Sequence, residues 1–181
     1  MKRYVLTGAP GAGKTSVLRV LQEQGFAVVE EAATEVVRRE QRAGVTEPWR
    51  QPSFIDKIVG LQRQRQQQPV THGAQVQVHD RSPLCTLALA RWLGHPVTPL
   101  LAAEIDRIAR EGPYERRVFL LCPLGFITPT AVRRISYVDA VEFGALHEQV
   151  YHEHGFDIVR VAAGTVTGRA VMIRGLITTL E

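Results

Sequence analysis

Only two cysteines, Cys85 and Cys122, occur in 181 residues, and neither stands in a Cys-x-x-Cys or Cys/His spacing. That excludes a disulfide scaffold and a zinc framework, and both read as reduced, small core residues of a cytosolic protein. No apolar run approaches the ~18 residues that a transmembrane helix requires, so no membrane span is expected. No Pro/Ser-rich stretch divides the chain and no internal repeat is visible. With 45% apolar content, residues 1–181 read as one well-buried domain. The N-terminus passes straight into a strand pattern, so no signal sequence is expected and the expected location is the cytoplasm. Lysine is scarce: Lys2, Lys14 and Lys57 are the three among 22 Lys and Arg residues. The formal net charge of +4 favours anionic ligands weakly. The arginines are scattered, without aromatic interleaving or a nucleic-acid motif, so no nucleic-acid partner is expected.

One of those lysines sits in the most informative octapeptide of the chain. Gly8-Ala9-Pro10-Gly11-Ala12-Gly13-Lys14-Thr15 has the spacing Gly-x-x-x-x-Gly-Lys-Thr. In such a loop the glycines let successive backbone N–H groups turn inward on phosphates, the lysine reaches the outer phosphate oxygens, and the threonine hydroxyl coordinates magnesium. The β-rich run Arg3 to Thr7 precedes it, and an apolar-periodic helix follows from Ser16, with Gly25 able to cap it. The loop therefore meets a helix N-terminus, where anions are favoured. Gly8 to Ser16 are the expected nucleotide-binding residues, with ATP and Mg2+ as ligands. A glycine-rich turn that merely joins strand to helix explains neither Lys14 nor Thr15.

Short β-rich runs alternate with longer helical patterns, which is the signature of βαβ units and a parallel sheet covered on both faces. Five strands are predicted, over Arg3 to Thr7, Phe26 to Glu30, Gln75 to Asp80, Arg116 to Cys122 and Asp157 to Ala162. Helices are predicted over Lys14 to Gln24, Ala32 to Arg42, Ser53 to Gln67, Pro83 to Leu93, Pro99 to Arg110, Ala131 to His154 and Thr167 to Leu180. The glutamine tract Gln62 to Gln68 reads as a solvated helix end.

Ligands of open parallel sheets lie beyond the carboxyl ends of the strands, so the chemical candidates are sought there. Val76-Gln77-Val78-His79-Asp80 closes on a carboxylate, as a phosphate-loop enzyme needs for magnesium. Asp80 is the candidate magnesium or base residue, and Thr15 its partner at the metal. A simpler role for Asp80 is to cap the helix near Pro83. Glu30 and Glu31 end the second strand. Either is placed to take a proton from an acceptor hydroxyl, and both equally suit the dipole at a helix start. Arg81 is a candidate for phosphate or acceptor contact. Arg133 and Arg134 follow a loop able to close over a nucleotide and neutralise charge on the transferred group, unless they are simply solvated. Gly164 to Gly168 follows the fifth strand, near where a base would lie. No Asn-Lys-x-Asp guanine reader occurs, which favours adenine. His147, Tyr151 and His154 fall at helical spacing, but no acid or cysteine completes a metal set, so they read as an exposed helix face. Trp49 reads as a half-buried loop anchor or as a stacking platform for an acceptor.

The segments around Gly8 to Thr15, Phe26 to Ala32, His79 to Leu84 and Tyr114 to Leu121 resemble those of the NadR/Ttd14-type AAA domain proteins, a branch of kinase-like P-loop NTPases. The similarity spans nearly the whole chain, and Asp80-Arg81-Ser82 also looks like the trio in small nucleoside and nucleotide kinases. What the resemblance implies is a three-layer α/β/α fold with a five-stranded parallel sheet ordered 2-3-1-4-5. It also implies ATP on the first loop, a helical lid bearing Arg133 and Arg134, and an acceptor near Glu30, Glu31 and Arg81. Members of the family are functionally diverse, so the acceptor does not carry over. The expected activity is transfer of the γ-phosphoryl group of ATP, with magnesium, to a small-molecule acceptor. The competing reading is a regulatory ATPase or GTP-binding module whose nucleotide state governs binding to a protein or an anionic lipid. Nothing in the sequence specifies the acceptor or an oligomeric state.

Overall fold

A computed structural model describes residues 1–68, 74–125 and 135–179. Five parallel strands form one sheet: β1 (Lys2–Gly8), β2 (Ala27–Val29), β3 (Val76–Asp80), β4 (Arg117–Leu121) and β5 (Asp157–Val161). Their order is β2-β3-β1-β4-β5, as the resemblance implies. Seven helices are seen among the described residues: α1 (Lys14–Glu23), α2 (Ala32–Arg42), α3 (Phe54–Gln67), α4 (Pro83–Leu93), α5 (Pro99–Glu111), α6 (Tyr137–Glu153) and α7 (Val166–Thr178). None of them is long and apolar enough to cross a membrane.

The sheet separates two apolar layers. Val5 and Val118 face one, with side chains from α2 through α6, including Ile55, Ile58, Leu84, Leu101 and Tyr151. Tyr4, Leu6, Val78, Phe119 and Leu121 face the other, against Val17 and Leu21 of α1 and Ile173 and Ile177 of α7. This alternation along each strand is the period-two consequence of a sheet buried on both sides.

Helix boundaries follow local caps. The expected helix from Ala131 instead begins, within the described residues, at Tyr137, leaving Ile135 and Ser136 outside it. The reason is a cap: the Ser136 hydroxyl accepts from the Asp139 amide at 3.1 Å and donates to the Asp139 carboxylate at 2.7 Å. Ser82, Thr98 and Thr165 cap α4, α5 and α7 in the same way. A 3-10 turn at Pro48–Arg50 lies in what reads from the sequence as plain loop. It anchors Trp49, which packs on the core and whose carbonyl meets the His95 ring nitrogen at 2.6 Å.

Strand register brings the candidate chemistry to one edge. Leu6 pairs with Asp80 and Gly8 with Leu121, so the start of the glycine loop, the acid of β3 and the end of β4 are level. Gly8 is required there: its φ is +124°, and a Cβ would lie 2.5 Å from the Leu121 carbonyl oxygen. Gly8→Ala should therefore cost about 2 to 3 kcal/mol through backbone strain and overpacking, read as a lower urea midpoint at unchanged m-value.

Candidate active site

The loop leaving β1 turns through left-handed backbone at Gly11 and Gly13, with φ values of 86° and 85°. Gly13 is the N-cap of α1, and the first turn of α1 carries no acidic residue. Its backbone amides and dipole are therefore not neutralised by a local carboxylate, which suits an anion. Ala9 and Ala12 are buried in the core and fix the loop from beneath. Gly144 of α6 lets that helix approach closely, since a Cβ there would sit 3.3 Å from the Ala9 amide nitrogen. Pro10 is half-buried, while Thr15 and Ser16 are exposed at the helix start.

Lys14 is 7% exposed, and its ammonium folds back to donate to the carbonyls of Gly8 at 3.2 Å and Ala9 at 3.0 Å. Burial and the nearby Arg81 charge lower its pKa to about 8, against the opposing pull of Asp80 and Glu31. Asp80, 4% exposed, ends β3 beside it. Its Oδ1 is buried without a hydrogen-bond partner among the described residues. Burial, then repulsion from Glu31, raises its pKa to about 6, while Lys14, Arg81 and the Thr15 hydroxyl pull the other way. Helix capping is not its role, because Ser82 caps α4 through its bond to the Leu84 amide at 3.3 Å.

Arg81 adopts a φ of 73°, the only positive value outside glycine among the described residues. Such a conformation costs about 1 kcal/mol or more and persists only where surroundings over-determine it. They do so here. The Arg81 amide continues the β1 ladder to the Leu6 carbonyl at 3.0 Å. Its Nε donates to Glu31 at 2.6 Å, and a terminal nitrogen meets His147 Nε2 at 2.8 Å. His147 Nδ1 lies 2.8 Å from the Phe143 carbonyl, an obligate acceptor, so Nδ1 carries the proton and Nε2 accepts from Arg81. Burial and the charges of Arg81 and Lys14 hold His147 neutral, well below the usual imidazole range.

Glu31 lies at the start of α2 but makes no cap bond. Its second oxygen accepts from the Thr34 hydroxyl at 2.6 Å. Burial would raise its pKa, but Arg81 and Lys14, with the hydrogen bonds from Thr34 and Arg81, bring it down to about 2. Glu30 is exposed and stands apart from this cluster; it contributes only a carbonyl, which accepts from Arg65 at 2.7 Å. Buried Lys14, Asp80 and Arg81 and half-buried Glu31 thus form one charge-balanced group at the mouth of the glycine loop. Arg133 and Arg134, with the loop before them, lie outside the described residues.

Two residues of α6 belong beneath this group. His147 and Tyr151, which read as an exposed face from spacing alone, are fully buried. The Tyr151 hydroxyl bonds Ser82 at 2.6 Å and approaches the Cys85 thiol at 3.2 Å, which in turn approaches Thr7 at 3.3 Å. The polar residues of β3 are also accounted for. Gln77 Oε1 accepts from the His79 ring at 3.0 Å and from Arg3 at 3.2 Å, and His79 stands edge-on to Tyr114. Burial, then the Arg3 charge, depresses His79 to about 3, so it is neutral.

A buried carboxylate oxygen without a partner is costly unless a ligand completes it. Asp80, with the Thr15 hydroxyl beside it, supplies the hard oxygen donors that magnesium prefers. The residues present therefore fit that ion, and the amide-lined loop with Lys14 fits the phosphates that accompany it.

Comparison with known proteins bears on the family and the fold. A family model described as an AAA domain matches residues 3–169, and the chain belongs to that family, a kinase-like P-loop NTPase family. Among solved structures, it is similar to deoxyadenosine kinase from M. mycoides, at TM-score 0.63 and 12% identity, over 99% of this chain and 100% of that one. Shikimate kinase from Acinetobacter baumannii is similar at TM-score 0.59 and 16% identity, over 100% and 95% of the two chains. Thymidylate kinase from Candida albicans follows at 0.54 and 14%, over 98% and 91%. At these identities the likeness is one of fold, that of the P-loop kinases. No curated protein matches the sequence.

Proposed function

We propose that residues 1–181 act as one unit that transfers the γ-phosphoryl group of ATP to a small-molecule acceptor. The single observation that carries the reading is the unpartnered Oδ1 of Asp80 held beside Lys14 at the start of α1. Gly8 to Ser16 cradle the phosphates, and Lys14 exchanges its two loop carbonyls for phosphate oxygens. Asp80 and Thr15 hold magnesium, which when bound neutralises charge on the phosphates. Arg81 faces the transferred group or the acceptor, locked by Glu31 and His147. Arg133 and Arg134 remain candidates for lid arginines.

The carboxylates divide the work. Glu30 is exposed and its carboxylate has no bond to the charged group, so we assign the acceptor role to Glu31 instead. Glu31, ionised down to about pH 2, is a weak base, yet each of its oxygens keeps a second lone pair for an acceptor hydroxyl. That suffices for a loose transition state in which positioning and charge stabilisation dominate over proton removal. ATP rather than GTP is favoured because the chain has no Asn-Lys-x-Asp segment.

The decisive experiment is a screen of hydroxyl- and phosphate-bearing small molecules for ADP formation. At least one acceptor is expected to raise ADP production above the water-only rate, with a phosphorylated product. Uniform water-level turnover, together with nucleotide-dependent capture of a protein or anionic vesicles, would overturn the kinase reading in favour of a regulatory module.

A further inference from the structure

Arg169, in the first turns of α7, reaches the underside of the glycine loop from 157 positions away in sequence. Its side chain is almost wholly buried, and its two terminal nitrogens are both committed. One donates to the Ala12 carbonyl at 2.7 Å and the other to the Cys122 carbonyl at 2.9 Å. The Cys122 amide is itself tied to Val161 at 2.9 Å, so the guanidinium braces the glycine loop against the paired ends of β4 and β5. The base of the arginine is equally fixed. Its amide bonds the Thr165 carbonyl at 3.1 Å, and the Thr165 hydroxyl caps the helix through Gly168 at 3.1 Å.

The Ala12 carbonyl belongs to the same peptide unit as the Gly13 N–H. In a planar trans peptide these two groups point in opposite directions, and no cis bond occurs among the described residues. Holding the carbonyl toward Arg169 therefore turns the Gly13 N–H away from the protein body. Among the described residues no acceptor takes that N–H. Glycine tolerates both hands of backbone, so the freedom that lets residue 13 adopt a φ of 85° also leaves this peptide free to flip. A two-pronged donor behind it removes that freedom before any ligand arrives.

We propose that Arg169 is a positioning residue for the phosphates: by fixing the Ala12 carbonyl it presets the Gly13 N–H toward the bound triphosphate. The inference rests on the nucleotide reading above. An arginine is suited to this because its planar fork bridges two carbonyls at once, which a lysine ammonium on a flexible stem does not reproduce. A buried arginine that only filled space would show no such preference and no effect confined to phosphate contacts.

The test compares the intact protein with R169M and R169K, by calorimetric titration with ATP and with inorganic tripolyphosphate. R169M should bind ATP at least tenfold more weakly and lose tripolyphosphate affinity by the same factor, while still unfolding cooperatively. R169K should recover only part of the loss. In the unaltered protein, ATP should move the Gly13 amide proton downfield, as expected for a new bond to phosphate, and should fail to do so in R169M. ATP binding by R169M within twofold of the unaltered protein overturns the proposal. So does a loss larger for ATP than for tripolyphosphate. Should R169M not fold, R169K decides: ATP affinity within twofold of the unaltered protein with the same downfield movement of Gly13 overturns the proposal, and a weakened affinity with a diminished movement supports it. If the unaltered protein binds neither ATP nor tripolyphosphate, the nucleotide reading itself fails; binding that leaves Gly13 unmoved refutes only the part assigned to Arg169.

Discussion

Asp80→Asn should lower phosphoryl transfer by about a hundredfold to a thousandfold, the range for removing one preorganised electrostatic group, or about 2.7 to 4 kcal/mol. The side chain keeps its shape, so loss of packing is not the cause. What disappears is the negative charge proposed to hold magnesium, and one of two carboxylate oxygens is replaced by an amide nitrogen that cannot ligate a metal. Two accompanying measurements separate this from unfolding. In excess chelator, ATP should bind the variant at least as tightly as the unaltered protein, since a buried negative charge near the phosphates has been removed. The variant should also be at least as stable at neutral pH. The folded-state pKa of Asp80 is raised from 3.8 to about 6, so the folded protein binds that proton more tightly than the unfolded chain. Ionising the group therefore costs stability as pH rises between those values, and an asparagine avoids the cost. Turnover of the unaltered protein should fall below about pH 6, by as much as tenfold per unit, because magnesium must then displace a proton. Asp80→Asn should lack that limb. Undiminished turnover in the variant would remove Asp80 from the metal site.

The backbone plan was largely legible because its signals are local. Unbroken apolar runs, Tyr4 to Leu6 and Val118 to Leu121, mark β1 and β4 as strands buried on both faces, and Ser82, Thr98 and Thr165 are conventional caps. The phosphate loop is legible for the same reason, as is the carboxylate at the end of β3. Contacts made across the fold were not. Glu30 and Glu31 are adjacent and chemically alike, and only the turn out of β2 decides that Glu31 meets Arg81 while Glu30 faces solvent. Spacing alone puts His147 and Tyr151 on a polar helix face, yet α4 packs over that face and Ser82 and Arg81 satisfy their polar atoms. Gln62 and Gln66, expected at a solvated helix end, turn inward to Thr86 and Arg107. Arg169 carries no local mark at all, being one of many scattered arginines until the sheet brings α7 under the loop.

These contacts share a physical theme. Arg81 is held by partners on two other elements, Glu31 at the start of α2 and His147 of α6, and the glycine loop is held from α7 through Arg169. A nucleotide therefore meets charges whose positions are already set, so little ordering cost is left for binding.

Lys14 is the exception, because it must move. Its ammonium donates to the Gly8 and Ala9 carbonyls and has to release them to reach phosphate. Lys14→Ala should weaken ATP binding by about tenfold to a hundredfold, the loss of one charge-assisted contact at about 1.5 to 3 kcal/mol. The pH dependence distinguishes this from a general disturbance of the loop. Burial and Arg81 bring the unliganded ammonium down to about 8, whereas phosphate contact favours the charged form and raises it. Above about pH 8 the free protein must therefore take up a proton when ATP binds. Affinity should then fall by up to tenfold per unit until the pKa of the liganded state is reached. Calorimetry in buffers of different ionisation enthalpy should register that proton uptake near pH 9 in the unaltered protein and none in Lys14→Ala. A variant that binds ATP as tightly as the original, or that retains the alkaline fall, would mean that Lys14 never leaves the loop carbonyls for the phosphates.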